Sequence, residues 1–403
     1  MSNRVRFLLI TTSCFVVSYI VLGGLLGKND SPSEKTYRNL GVYSEVLSRI
    51  KNEYVTEPDL KKVTGGAIRG LLEALDPYST YFTPQEYQEY VRQPDPGPAN
   101  VGIFLAKRLG FATVVSVLPG SPAEKAGVKA GDLMDLVESA ATRELSVVQI
   151  QRLLAGPAGS TVTVTLVREA RGEPQKITIT RAPLNYPPVV AKGVEDSVGY
   201  LRVATFDKGK AAEISARLNE LIAGGANKIV LDLRNCAGGE PEEAVDTASL
   251  FLENGLVAYL AGQRYPRHNL AAKPAGEVCK LPVAVLINQS TAGPAELVAS
   301  AIQGNKRGEV VGVRSFGVGV FQKVIPLDDG SALLLSVAKY YGPDGKAIQD
   351  NGVTPTVVES PAEQAASADD DSDTPEPEHF GDKDDQQLRK AIEILKQKPA
   401  KAA

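Results

Sequence analysis

The spacing of apolar residues changes several times along the chain, and each change predicts a different kind of element. An uncharged, mostly apolar run extends from Phe7 to Gly27 behind Arg4 and Arg6. As a helix it would be about 30 Å long, about one bilayer core. Residues 28–36 are polar and read as a linker. From 37 to 94 apolar residues return at helical spacing: Val42, Tyr43, Val46, Leu47 and Ile50, then Val63, Ala67, Ile68, Leu71, Leu72 and Leu75. Asp76-Pro77 stops the second helix. Thr83-Pro84-Gln85-Glu86 then supplies a cap, a proline for the first helical position and an acid for the first turn.

A proline-rich stretch at 94–100 marks a boundary. Short β-rich runs follow at 112–118, 133–138, 160–167 and 175–180, with one helical stretch at 145–155 and a short helix within 119–132. This predicts a small β-rich domain over 95–185. From 197 the pattern becomes strand and helix in alternation, which predicts an α/β core over 186–359. Strands are expected at 198–205, 228–233, 283–288, 308–313, 320–326 and 332–339, and helices at 210–224, from Gly238-Gly239 to about Leu252, and at 295–304. Residues 360–383 are acidic and predict a disordered, solvated linker, with seven acids and no Lys or Arg between 369 and 382. Leu388, Ile392 and Leu395 predict a last helix over 384–397, within a C-terminal segment of 384–403.

Composition narrows the function classes. The net charge is −4, with 44 Lys+Arg against 48 Asp+Glu, so nothing drives the chain toward nucleic acid. Three Cys, at 14, 236 and 279, form neither a disulfide framework nor a metal pair. Two His, at 268 and 379, leave little room for a metal site or a histidine-based triad. No cofactor is called for. The exit of the apolar run, Gly-Leu-Leu-Gly-Lys, lacks an A-x-A-like cleavage site. An uncleaved anchor at 1–27 is therefore expected over a cleaved signal peptide, with the body outside the cytoplasm, in the cell envelope or periplasm.

Several stretches share one resemblance. LLEALDPYSTYFTPQEY at 71–87, LDLRNCAGG at 231–239, SFGVGVFQ at 315–322 and YYGPDGKAIQDNGVTP at 340–355 are similar, in order, to segments of the carboxyl-terminal processing, or tail-specific, serine proteases. Residues 101–132 resemble that family's inserted PDZ domain. The resemblance implies a multidomain α+β fold: a helical N-terminal region, a β-rich PDZ domain and an α/β core of the ClpP/crotonase kind. It also implies cleavage of proteins near their C-termini, with a Ser nucleophile and a Lys base that a Gln often orients.

The residues that carry this chemistry depart from the family's pattern. Asn288-Gln-Ser-Thr-Ala-Gly-Pro-Ala-Glu296 aligns without a gap to the family's NGGSASASE, and the nucleophile position falls on Gly293. Glycine has no side chain with which to form an acyl-enzyme. The base position of TFGKG falls on Val318, which cannot accept a proton. Gln322 keeps the orienting position. One oxyanion donor is expected from the backbone N–H after the nucleophile, and that residue is Pro294, which has none. The other donor falls on Gly238-Gly239. Substitutes worth weighing are Ser290, Thr291, Lys306, Lys323 and Cys236, the last with His268, expected on a loop, as its base. Asp232 and Arg234 read as structural members of the strand.

A PDZ domain binds peptides without catalysis, by adding an extended C-terminus to a sheet edge. Val101-Gly102-Ile103-Phe104 is the candidate carboxylate loop, and Val148 and Arg152 are candidate edges of the groove helix. The expected function is a catalytically degenerate protease homologue that acts as a peptide-binding scaffold or regulator. Expected partners are protein C-termini, the membrane through 7–27, and a homo-oligomer or an active family member. Two alternatives stand beside it: an active serine-type endopeptidase with a rearranged site, and a purely structural envelope protein.

Overall fold

The structure is a computed structural model that describes residues 12, 32–92, 99–108, 110–168, 173–274, 276–360 and 380–397. The candidate anchor at 7–27 lies outside the described residues, apart from Thr12. Among the described residues no helix is long and apolar enough to cross a membrane. The chain divides into two compact units, up to Ile68 and from Arg69 onward.

The first unit contains α1 (Pro32–Glu53) and the start of α2 (Leu60–Glu73). Helix begins at Pro32, inside the segment expected as a linker over 28–36. Asp59 caps α2 by accepting the amides of Lys61 and Lys62.

The second unit continues through β1 (Thr80–Phe82) and α3 (Pro84–Arg92). The expected cap of α3 is formed: Thr83 N–H donates to Glu86 Oε2 at 2.8 Å and Glu86 N–H to Thr83 Oγ1 at 3.3 Å. A small domain then holds β2 (Ile103–Arg108), β3 (Phe111–Val117), α4 (Pro122–Lys125), β4 (Leu133–Val137), β5 (Ala140–Ala141), α5 (Val147–Leu154), β6 (Thr161–Val167) and β7 (Gln175–Thr180). Its sheet runs β2-β3-β4-β6-β7, so β2 is an edge strand. The core joins Ile103 and Leu105 of β2 to Val147, Ile150 and Leu154 of α5.

The α/β part comprises β8 (Val190–Gly193), β9 (Val198–Arg202), α6 (Lys210–Ala223), β10 (Lys228–Asp232), α7 (Pro241–Ser249), β11 (Leu256–Ala261), β12 (His268–Ala271), β13 (Val283–Ile287), α8 (Pro294–Gly304), β14 (Gly308–Gly312), β15 (Val320–Pro326), β16 (Ala332–Tyr341), β17 (Val357–Val358) and α9 (Gln386–Gln397). One sheet has the order β17-β14-β13-β10-β9-β8, parallel except for β8. Leu231 sits between Leu201 and Val285 in register. The other sheet has the order β1-β16-β11-β12, with β15 on β16.

A parallel sheet is apolar on both faces and needs cover on both. Leu201, Leu231 and Val285 pack with Ile214 and Leu218 of α6 and Val298 and Ile302 of α8. On the opposite face Tyr200, Val230, Ala284 and Val311 meet Leu388, Ala391, Ile392 and Leu395 of α9. The last helix is therefore part of the core. A buried network fastens it: Arg234 binds Asp232 and both oxygens of Asp385, with Asp385 at 2.6–2.9 Å, and also reaches Gln387. The guanidinium groups of Arg202 and Arg234 each lie 4.4 Å from the Phe380 ring centroid. Residues 380–383, expected within a disordered linker, are thus held on the core; residues 361–379 lie outside the described ones.

Candidate active site

The site lies where three chain segments leave the carboxyl ends of adjacent parallel strands, the usual place for ligands in such sheets. After β10 the chain turns through Asn235 to Gly239. After β13 it turns through Asn288 to Gly293 and enters α8. After β14 it runs through Ser315 to Gly319. Asn288 ties the first two turns: its Oδ1 accepts Asn235 N–H at 3.0 Å, and Nδ2 donates to Asn235 Oδ1 at 2.6 Å. Ala292 N–H donates to the Cys236 carbonyl at 2.9 Å, and Phe316 N–H to the Thr291 carbonyl at 3.0 Å.

Gly293 has φ 61° and ψ −120°, at the sharp strand-to-helix turn. A nucleophile elbow has the same strand–turn–helix layout. A Cβ added there would meet no atom within 4 Å, so the turn faces open space. Pro294 occupies the first helical position, where its missing N–H suits the helix but removes a donor from the turn.

Glu296 was not singled out as a site residue, although it closes the nine-residue motif. Its carboxylate is fully buried and accepts four hydrogen bonds. Gly293 N–H and Val318 N–H donate to Oε2 at 2.9 and 2.8 Å, and Ser315 Oγ–H and Gly317 N–H donate to Oε1 at 2.5 and 2.8 Å. One carboxylate therefore holds Gly293 and Val318 side by side. Burial pushes its pKa up to about 7, against the pull of these donors.

The surroundings of the turns are apolar. Phe316 and Val318 pack with Ala237 and Ala292, and with Phe104, Ala106 and Val115 from β2 and β3. The Phe104 ring fills the place a side chain at Gly238 would take, with Cε1 1.9 Å from a built Cβ. A side chain at Gly239 would strike the Phe206 carbonyl, and both glycines have positive φ, so the residue type here is dictated by the backbone. Ser116 Oγ donates to the Asn235 carbonyl at 2.7 Å, and Arg108 lies over the Phe316 ring.

The remaining candidates are either buried within these turns or lie away from them. Gln322 donates to the Tyr78 carbonyl at 2.9 Å. Thr291 is buried; its hydroxyl donates to the Leu233 carbonyl and accepts from Asn288 N–H. Ser290 is also largely buried, and its amide donates to Asn288 Oδ1. Cys236 is fully buried in the main core, and burial pushes its thiol far above the ordinary range, away from the reactive thiolate. His268 lies in β12 rather than on a loop, and its side chain is exposed. Its strand, read as HNLA, has no apolar alternation to announce it. Lys306 is exposed beyond the far end of α8, and Lys323 is exposed on β15. Asp232 and Arg234 belong to the network that holds α9.

In the small domain, Val101 and Ile103 are in the core, and Gly102 has φ +82° and packs on Ser121. Phe104 is turned the opposite way, because alternation along β2 sends Ile103 and Leu105 into the core and Phe104 toward Gly238. Val148 packs against the buried cluster of Phe82, Ala332 and Leu334, and Arg152 lies 4.8 Å from the Tyr90 ring centroid.

Residues 197–359 match the description "Peptidase family S41" and residues 113–168 match "PDZ domain". The chain is 31% identical over 347 residues to the carboxy-terminal-processing protease of Bartonella bacilliformis, across 85% of this chain and 79% of that one. It is 34% identical over 353 residues to the chloroplastic C-terminal processing peptidase of Tetradesmus obliquus, across 81% and 75%. Among solved structures, a photosystem II D1 C-terminal processing protease is similar at a TM-score of 0.66 and 28% identity, across 79% of this chain and 92% of that one.

Proposed function

Since the chain belongs to the carboxyl-terminal processing proteases of peptidase family S41, we propose that it is a catalytically degenerate member that binds peptides without cutting them. The observation that carries this reading is Gly293, at a sharp turn into α8 that opens onto free space and offers no side chain. Val318 beside it has no proton acceptor, and Pro294 has no N–H for an oxyanion. Loss of one such donor typically lowers the rate about 10²–10³-fold, and loss of the nucleophile removes the acyl-enzyme route outright. Two of the displaced candidates are poorly suited to restore it: Cys236 is buried with a raised pKa, and the Thr291 hydroxyl donates to the Leu233 carbonyl.

A PDZ domain with β2 at its edge supports binding of extended peptides or protein C-termini. Val101 to Phe104 would meet the peptide carboxylate, and Val148 and Arg152 would border the groove helix. The protein would work as a scaffold or regulator of proteolysis in the cell envelope, anchored through residues 7–27, as an oligomer or beside an active family member. The test has two readouts on the full chain. Incubation with an unfolded protein substrate is expected to leave it intact, while peptides with free C-termini are expected to bind and their C-terminal amides to bind at least tenfold more weakly. Cleavage of the substrate would overturn the degenerate reading. Equal affinity for acids and amides would overturn PDZ binding.

A further inference from the structure

Away from the turns of the candidate site, a cavity of about 290 Å³ lies between residues 69–80 and the far end of β2. Its lining includes Arg69, Asp76, Lys107, Arg143, Ser146 and Gln149. That volume is at the lower edge of ligand-pocket sizes and suits one side chain or a small acid.

The hydrogen-bond inventory of the cavity is one-sided. Asp76 already accepts four hydrogen bonds, three of them at Oδ1, from the amides of Tyr78 and Ser79 and the hydroxyls of Ser79 and Ser336. Glu73 and Glu144 are exposed to solvent. Lys107 is different. It is 9% exposed, and its ammonium donates to one acceptor, the Arg143 carbonyl at 3.0 Å. An ammonium has three protons to donate, and a buried charge ordinarily has a counter-charge. Among the described residues no carboxylate lies within 4 Å of it. Arg69 binds Glu86 through its Nη2, which leaves its buried Nε–H without an acceptor. Arg143 is exposed and, among the described residues, has no carboxylate within 4 Å; it stacks 4.5 Å from the Phe111 ring centroid. The unmet buried donors are thus those of Lys107 and Arg69; burial lowers the Lys107 pKa, and the charge of Glu73, more than 4 Å away, offsets this only in part.

We propose that this cavity binds a carboxylate through Lys107, Arg69 and Arg143, and that the carboxylate is an acidic side chain of a peptide lying along β2. The second half rests on the peptide-binding reading given above. Ile103, Leu105 and Lys107 share the face of β2 nearest α5, so an added strand meets two apolar positions and then a cation. Strand rise is about 3.4 Å per residue. With the peptide carboxylate near residues 101–104 and the peptide antiparallel to β2, the residue about four before its C-terminus arrives opposite Lys107.

Ten-residue peptides that differ only by Glu or Gln at the third, fourth or fifth residue before the C-terminus, and free glutarate, would be titrated onto the full chain. The expected result is at least tenfold tighter binding for Glu than for Gln at one of these positions, with the ratio reduced to about one in Lys107→Gln while the Gln peptide binds unchanged. If Lys107→Gln does not fold, Arg143→Gln is read instead and is expected to reduce the ratio. Glutarate binding that Lys107→Gln abolishes, with no Glu preference among the peptides, would keep the carboxylate site and overturn the peptide as its source. If no peptide binds, the PDZ reading fails on its own, and glutarate still decides the cavity. Equal affinity for all peptides together with no glutarate binding would overturn the proposal.

Discussion

Two buried acidic constellations at the carboxyl ends of the parallel strands are built on opposite principles. At the end of β10, Asp232 and Asp385 share the Arg234 guanidinium, so the charges there are paired. At the start of α8, Glu296 has no cation partner among the described residues; its partners there are three backbone amides and one hydroxyl. Burial raises the pKa of both Glu296 and Asp385. At Asp385 the hydrogen bonds and charge of Arg234 outweigh it and leave the pKa below the ordinary range, whereas Glu296 ends at about 7. The first constellation fastens a helix over a sheet face. The second fastens two loops in the frame of an active site, beside a valine and a glycine that bring no charge of their own. A frame of this kind needs only backbone donors and one acid, so it does not depend on a reactive side chain at position 293 or 318.

Arg234→Ala leaves two buried carboxylates without a cation and is expected to cost about 3–5 kcal/mol. Urea unfolding would register the loss, and α9 should become open to proteolysis near residues 380–397. An unfolding midpoint equal to the parent's would mean that the network contributes nothing.

Glu296→Gln is expected to cost less, about 1–3 kcal/mol, because an amide cannot accept all four donors. The two constellations should also respond oppositely to pH. The folded pKa of Glu296 lies above the unfolded value of 4.5, so its contribution is full below about 4.5 and is lost as pH rises through about 7. Asp385 has a lowered folded pKa, so its contribution is present above the unfolded value of 3.8 and is lost as pH falls through the folded pKa. Stability measured between pH 4.5 and 8 should therefore fall more steeply in the parent than in Glu296→Gln. Parallel curves would contradict the assignment.

An effect no larger is expected at the turn itself. Gly293→Ser meets no neighbour, so its cost is the backbone conformation alone, φ 61° with ψ −120°, about 1–3 kcal/mol. A larger loss in thermal unfolding would mean that the space is not free. The single variant should still not cleave, since Val318 supplies no base.

Much of this frame was legible in the sequence because it is made of local signals. The buried runs 228–232 and 283–287 are continuous and apolar, Thr83 to Glu86 carries its own cap, and the motif Asn288 to Glu296 fixes where the turn must be. The short strands β1, β8, β12 and β17 escaped because two to four residues, many of them exposed, carry no periodicity. His268 was misplaced for that reason. The docking of α9 escaped as well: its apolar stripe announces a helix, but only the bare second face of the sheet says where it goes. The position of Phe104 depends on the bulge and alternation of β2, which a Gly-Ile-Phe tripeptide does not encode. Lys107 drew no notice because a lysine in sequence reads as exposed, and its burial is a product of the tertiary fold.

An intact frame without its chemistry is decided by turnover of an unfolded protein substrate by the parent beside the triple variant Gly293→Ser, Pro294→Ala, Val318→Lys. A silent parent and a variant that cuts are expected. A parent that cuts, and loses that activity in Ser290→Ala or Cys236→Ala, would contradict that expectation.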